Sequence, residues 1–161
     1  MIPLLIVDVQ RGFINEHTAH IPKLVERLQH EYEYVFATQF YNETPSNYRR
    51  LLNWHRFSEN SDDLEFAFNL KEGVQIIKKS IYTCVSPSFL FQLEELNARE
   101  VHIVGIDTDI CVTKSAVDLF EVGKTPVVLG GYCASHAGND IHLAALRILE
   151  RYIGINQVKG Y

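Results

Sequence analysis

The chain has 161 residues, of which 47% are hydrophobic and 22% charged, and its formal net charge is −5. That length can bury a core of its own, so one domain over residues 1–161 is expected. The acidic balance without a basic patch argues against nucleic-acid and membrane partners, and no apolar run approaches the roughly 18 residues of a membrane span.

Residues 1–8 lack a basic leader region, and their apolar run stops at Asp8. They read as a strand and not as a signal peptide. Cys84, Cys111 and Cys133 are odd in number and scattered, forming neither a disulfide framework nor a zinc pattern. A reducing cytoplasm is the expected location.

Four consecutive apolar residues at 4–7 predict a strand covered on both faces. Asp8 ends it, at the rim where open α/β sheets place ligands. Gln10, Gly12 and Phe13 follow in a loop, and a helix is expected over about 21–32. A second strand spans 34–39. The less regular stretch 40–68 holds a helix over 46–54 and a polar loop over 58–63, which is either a substrate-selecting lid or a surface excursion. A short strand over 75–78 follows, with Lys79 at its end. Ser86-Pro87 supplies a cap and a first-turn proline for a helix to about Asn97.

The β-branched run 101–106 is the central strand. Asp107, Thr108 and Asp109 bring turn and cap chemistry, and apolar residues at Val112, Ala116, Leu119 and Phe120 recur at helical spacing. Cys111 is thus expected in the first turn of a helix, where the helix dipole favours a thiolate and an oxyanion. A fifth strand over 125–130 ends in Gly-Gly, an amphipathic helix covers 139–152, and 155–158 reads as an edge strand. This alternation predicts a parallel sheet with helices on both faces.

Asp8, Lys79 and Cys111 each fall at the carboxyl end of a different strand, and such ends converge on one crevice. Acyl transfer needs a nucleophile, a proton carrier and a cation to hold the carrier, and these three side chains supply one each. Spacing alone also fits a surface lysine and a small buried cysteine.

The segments Asp8-Val-Gln-Arg-Gly-Phe13, Lys79-Ser-Ile-Tyr82 and Gly105-Ile-Asp-Thr-Asp-Ile-Cys111-Val112, in that order, resemble the isochorismatase-like cysteine hydrolase family. That family includes nicotinamidases and N-carbamoylsarcosine amidohydrolase. The likeness runs over nearly the whole chain, including His142 with Ala145 and Leu146. It implies a three-layer α/β/α single domain with a six-stranded parallel sheet of order 3-2-1-4-5-6. It implies an Asp8–Lys79–Cys111 triad and a non-proline cis peptide between Ile106 and Asp107, with the N–H groups of Asp107 and Cys111 as the oxyanion hole. It further implies a homo-oligomer acting on a small-molecule substrate.

Departures from the family bear on substrate. Nicotinamidases carry an Asp-x-His metal motif after the second strand, where this chain reads Thr38-Gln39-Phe40-Tyr41-Asn42. No metal site and no cofactor are therefore expected. Cys84 and Val85 stand where the family usually has other residues, and Gly131 replaces its usual Asp. The cysteine favours hydrolysis of a small amide or related C–N bond through a thioester. Phe13, Gln10, Tyr82 and Trp54 are candidate substrate contacts; the aromatic three are also compatible with plain packing, and Gln10 with orienting its loop or merely sitting at the surface. The histidine pairs 17/20 and 136/142 have no tight ligand spacing. The alternative is a non-catalytic metabolite-binding or subunit-interaction protein that keeps the fold. A phosphoacceptor receiver would need an acidic pair at the first strand, and a nucleotide enzyme a glycine-rich phosphate loop; neither is present.

Overall fold

In the computed structural model, which describes residues 1–161, the strands are Leu4–Val7 (β1), Val35–Phe40 (β2), Gln75–Lys79 (β3), Glu100–Ile106 (β4), Thr125–Ala134 (β5) and Val158–Lys159 (β6). The helices are Ile21–Leu28 (α1), Asn47–Leu52 (α2), Pro87–Glu95 (α3), Thr113–Glu121 (α4) and Asn139–Ile153 (α5). All strand pairs are parallel, in the order β3-β2-β1-β4-β5-β6. No helix is long and apolar enough to cross a membrane.

The central strands are buried on both faces, their side chains alternating between two cores, while the edge strand β3 is largely exposed before Lys79. Leu5 and Val7 of β1 join Leu93 of α3, Leu119 of α4 and Leu149 of α5 in one core. Leu4 and Ile6 turn the other way and pack with Ile21, Val25 and Leu28 of α1. Three helices therefore cover one face and α1 the other. Ser86 caps α3 by accepting the Phe89 N–H, with Pro87 in the first turn. Ser46 does the same for α2 through the Arg49 N–H.

Several boundaries differ from the sequence expectation. α1 gives way after Leu28 to a 3-10 turn at Gln29–Glu31. α2 stops at Leu52 because Asn53 adopts the left-handed conformation, φ 50°. Residues 155–157 form a 3-10 turn, leaving β6 only two residues.

The glycine pair does not end β5, which runs on to Ala134. Ile103 pairs with Val128 and Gly105 with Cys133, so two steps on β4 match five on β5 and the extra residues bulge outward. Gly131 permits this bulge, since a Cβ there would lie 2.6 Å from the Gly160 carbonyl oxygen. Gly105 matters more for the site. Its φ is +126°, and a Cβ would fall 2.1 Å from the Val7 oxygen, so only glycine lets β4 lie this close to the residue before Asp8.

Candidate active site

The carboxyl ends of β1, β3 and β4 bring Asp8, Lys79 and Cys111 together. β2 separates β3 from β1, so only a long side chain on β3 can reach Asp8. The Lys79 ammonium donates to Asp8 Oδ2 at 2.6 Å and to the Ile81 and Tyr82 carbonyls, both at 3.1 Å, and lies 3.6 Å from Cys111 Sγ. The intervening strand contributes Thr38, whose hydroxyl donates to Asp8 Oδ1 at 2.5 Å and accepts the Asp8 N–H at 2.9 Å. Both carboxylate oxygens are thus held. Asp8 turns the chain out of β1 with φ 49°, a conformation Asp tolerates better than most residues.

Asp8, Lys79 and Cys111 are all buried. Burial works against the Lys79 ammonium, but the Asp8 carboxylate and Cys111 beside it raise its pKa overall. Burial, and then the negative charge of Asp8, push the Cys111 thiol well above its usual range, with Lys79 opposing. Burial and Asp8 thus work against the thiolate that the helix dipole was expected to favour. Cys111 lies, as expected, in the first turn of the helix that continues as α4, but that turn is π-helical over Thr108–Val112, its Val112 N–H reaching back to the Asp107 carbonyl. These influences favour the thiol form of Cys111 beside the Lys79–Asp8 hydrogen bond.

Cys111 opens onto a cavity of about 230 Å³ with an aromatic wall of Phe13, Phe40, Tyr48, Trp54 and Tyr82. Phe13 stacks near Trp54 at 6.3 Å between centroids and packs at 4.2 Å on Phe57, which is fully buried. The segment between β2 and β3 supplies much of this wall. Asn42 ties it down, donating to the carbonyls of Trp54 and Arg56 at 3.0 and 3.1 Å. The polar loop over 58–63 lies outside this wall, with Glu59, Asn60 and Asp62 exposed, so it is a surface excursion and not a lid on the cavity.

Phe13, Tyr82 and Trp54 line the cavity, and Gln10 does not. The fully buried Gln10 amide donates to the carbonyls of Phe40 and Leu64 and accepts the Phe40 N–H at 2.8 Å. Those bonds fix the loop after Asp8 and leave nothing to offer a ligand.

The peptide between Ile106 and Asp107 is cis. The Asp107 N–H has no acceptor within the protein. Its carboxylate accepts the His136 N–H at 2.7 Å and the His136 Nδ1–H. Burial raises the Asp107 pKa despite this partner, whereas the hydrogen bond to Asp107 raises that of His136.

His136 also lines the cavity, and neither it nor Thr38 was legible as a site residue. Thr38 stands mid-strand, marked by nothing but its hydroxyl. His136 pairs across 29 residues with an aspartate that reads locally as turn chemistry.

The residues after β2 do not fit a metal. Gln39 donates to the Leu64 carbonyl, Thr38 holds Asp8, and the Asn42 amide is spent on the wall. No group of three or more His, Cys, Asp or Glu side chains in the protein is placed to hold a metal ion.

An Isochorismatase domain model matches residues 3–156. The chain belongs to the isochorismatase family. Solved members share its fold at low identity. The pyrazinamidase/nicotinamidase of Streptococcus mutans UA159 is 18% identical, with a TM-score of 0.86 over 99% of this chain and 100% of that one. Nicotinamidase PncA of Bacillus subtilis is 21% identical, with a TM-score of 0.82 over 98% of each chain. The pyrazinamidase of Pyrococcus horikoshii, solved in complex with zinc, is 20% identical, with a TM-score of 0.84 over 99% of each chain. No curated protein matches the sequence. Within the isochorismatase family, then, this member combines a buried Asp–Lys–Cys cluster with an aromatic cavity and a β2 end that reads Thr38-Gln39-Phe40-Tyr41-Asn42.

Proposed function

We propose that the protein is a metal-independent cysteine hydrolase acting on an amide or related C–N bond of a small, planar molecule. The observation that carries this reading is the contact of Lys79 with both Asp8 and Cys111 at the wall of the aromatic cavity. An apolar slot flanked by five aromatic rings suits a flat substrate.

The neutral thiol needs a base at the moment of attack, and Asp8 is that base. Cys111 Sγ adds to the carbonyl carbon as its proton passes to Asp8, which Lys79 and Thr38 hold in place. The oxyanion accepts from the unpaired Asp107 N–H, joined by that of Cys111. Collapse of the adduct breaks the C–N bond, and Asp8 returns its proton to the departing nitrogen, leaving a thioester. Asp8 then takes a proton from water as the water adds to the thioester. Expulsion of the Cys111 thiolate, reprotonated by Asp8, releases the acid. Metal independence rests on the donor set: residues 38–42 include neither carboxylate nor imidazole.

The test is a screen of small aromatic and heteroaromatic amides for release of ammonia or amine, with intact-protein mass spectrometry for an acyl adduct on Cys111. Turnover in the wild type and none in a folded Cys111→Ala variant is the expected result. Undiminished turnover in Cys111→Ala overturns the mechanism.

A further inference from the structure

His136, the titratable ring on the cavity wall, has no part in the reaction just described. We infer that His136, clamped by Asp107, is the specificity-determining residue of the site, donating from Nε2 to a hydrogen-bond acceptor carried on the planar substrate.

The geometry assigns the two ring nitrogens different tasks. Nδ1 is committed to the Asp107 carboxylate, which can only accept, so Nδ1 carries a proton. The same carboxylate accepts the His136 backbone N–H at 2.7 Å, so backbone and ring are fixed together. Nε2 has no partner in the protein, and the residue lines the cavity. The ring packs 6.2 Å from Phe13, so it stands at the edge of the aromatic slot, where a ligand ring would lie.

Lys79 and Asp107 beside the slot are already engaged, whereas the Tyr48 and Tyr82 hydroxyls and the Trp54 indole N–H on its wall are neutral donors without a partner in the protein. Lys79 is taken by Asp8 and two carbonyls, and the Asp107 carboxylate by His136. Of the free donors on the slot, His136 is the one that can carry a positive charge, so a ligand substituent that accepts a hydrogen bond is held most strongly there. Charged groups around the imidazole are Asp107 and Asp109 from the turn after β4 and Arg56 from the wall segment. Arg56 is itself paired with Asp63 at 2.6 Å, so it does not compete for the ligand. The two carboxylates outweigh it and favour the imidazolium, the only form with a proton on Nε2 while Nδ1 stays bonded to Asp107. Loss of that proton turns Nε2 into an acceptor that repels another acceptor. Recognition is therefore coupled to pH in one direction, weakening as pH rises.

The position of the scissile bond rests on the hydrolase reading, but ligand binding is measurable without turnover. Three matched sets of ring isomers serve as probes: carbamoylbenzoates, acetylbenzamides and isopropylbenzamides. They present a charged acceptor, a neutral acceptor and a group of similar shape with no acceptor. Calorimetry on Cys111→Ala, at about pH 6 and about pH 9, is compared with the same measurement after adding His136→Phe or His136→Gln.

In Cys111→Ala, at least one acceptor isomer is expected to bind about tenfold tighter than its isopropyl counterpart at the lower pH. The advantage should shrink at the higher pH. His136→Phe should abolish it without weakening the isopropyl probes, and His136→Gln should keep a donor but lose the pH dependence. Carboxylate and acetyl arms separate an anionic from a neutral acceptor. An acceptor preference that survives His136→Phe, no preference for any isomer, or an unchanged pH dependence in His136→Gln overturns the inference. Wild-type protein that binds these probes but never forms an acyl adduct would instead refute the hydrolase reading alone.

Discussion

Thr38 and Asp8 hydrogen-bond to each other twice: the Thr38 hydroxyl donates to Asp8 Oδ1 at 2.5 Å and accepts the Asp8 N–H at 2.9 Å. One side chain on β2 thereby sets the rotamer of the carboxylate and the direction in which the chain leaves β1. With Oδ2 held by Lys79, Asp8 cannot swing away from Cys111. Thr38→Val keeps the shape and removes both bonds. We expect kcat to fall by about tenfold to a hundredfold with little change in KM, because misplacement of a proton carrier costs the reaction and not binding. Thr38→Ser should recover most of the rate. Equal losses in the Val and Ser variants would mean that Thr38 acts through packing alone.

The thiol's protonation state yields a second prediction, with an unusual sign. Asp8 raises the Cys111 pKa and Lys79 lowers it. Removing the carboxylate should make the cysteine more reactive towards iodoacetamide even as it removes the base for turnover. Asp8→Asn is expected to label Cys111 faster near neutral pH than wild type, and Lys79→Met to label it more slowly. Burial holds Cys84 at about 11 and Cys133 at about 12, so both should stay slow throughout. Peptide mass mapping of alkylation rate against pH reads all three at once. Slower labelling of Cys111 in Asp8→Asn would contradict this electrostatic account.

The Asp8–Lys79 pair is buried on both sides, with side chains 0% and 4% exposed. Breaking such a pair leaves one charge stranded in the interior, at about 3–5 kcal/mol, whereas replacing both partners costs far less. Asp8→Asn and Lys79→Met should each lower the unfolding free energy by that order, and the double variant by clearly less than their sum. Urea unfolding of the four proteins gives the coupling directly. Additive losses would show that the two side chains act independently.

What could be read before the structure follows a physical division. The four-residue run of β1 and the β-branched run of β4 announce themselves because burial on both faces demands it of local composition. The cap at Ser86-Pro87 is equally local. Asp8, Lys79 and Cys111 were legible as a set because each ends a strand, and parallel strands bring their ends together. Gln10 was read both as a substrate contact and as an anchor of its loop, and only the anchor holds, because its amide is consumed by the carbonyls of Phe40 and Leu64. The Gly130-Gly131 pair misled because glycine usually stops a strand, whereas here the tail at Gly160 needs the room. Thr38 and His136 stayed hidden because their meaning lies wholly in partners 30 and 29 residues away.

The Asp107–His136 pair also leaves a mark on stability. His136 has a raised pKa in the folded protein, chiefly through its hydrogen bond to Asp107, so the native state holds that proton more tightly than the unfolded chain. Stability rises with pH only where the unfolded state binds more protons, and here the reverse holds. The contribution of His136 is therefore complete below its unfolded value of about 6.5 and is lost as pH rises through its folded value. His142 works in the opposite sense, since burial and then nearby His20 lower its pKa, and its contribution grows as pH rises towards the unfolded value. A bare wild-type profile would blend the two. The difference between wild type and His136→Gln cancels the His142 part, because that residue is common to both. We expect this difference to be largest in mildly acidic buffer and to shrink steadily on the alkaline side. Urea midpoints across the pH range measure it, and a difference that is flat or widens with pH would show that the Asp107–His136 bond does not carry the proton assigned to it.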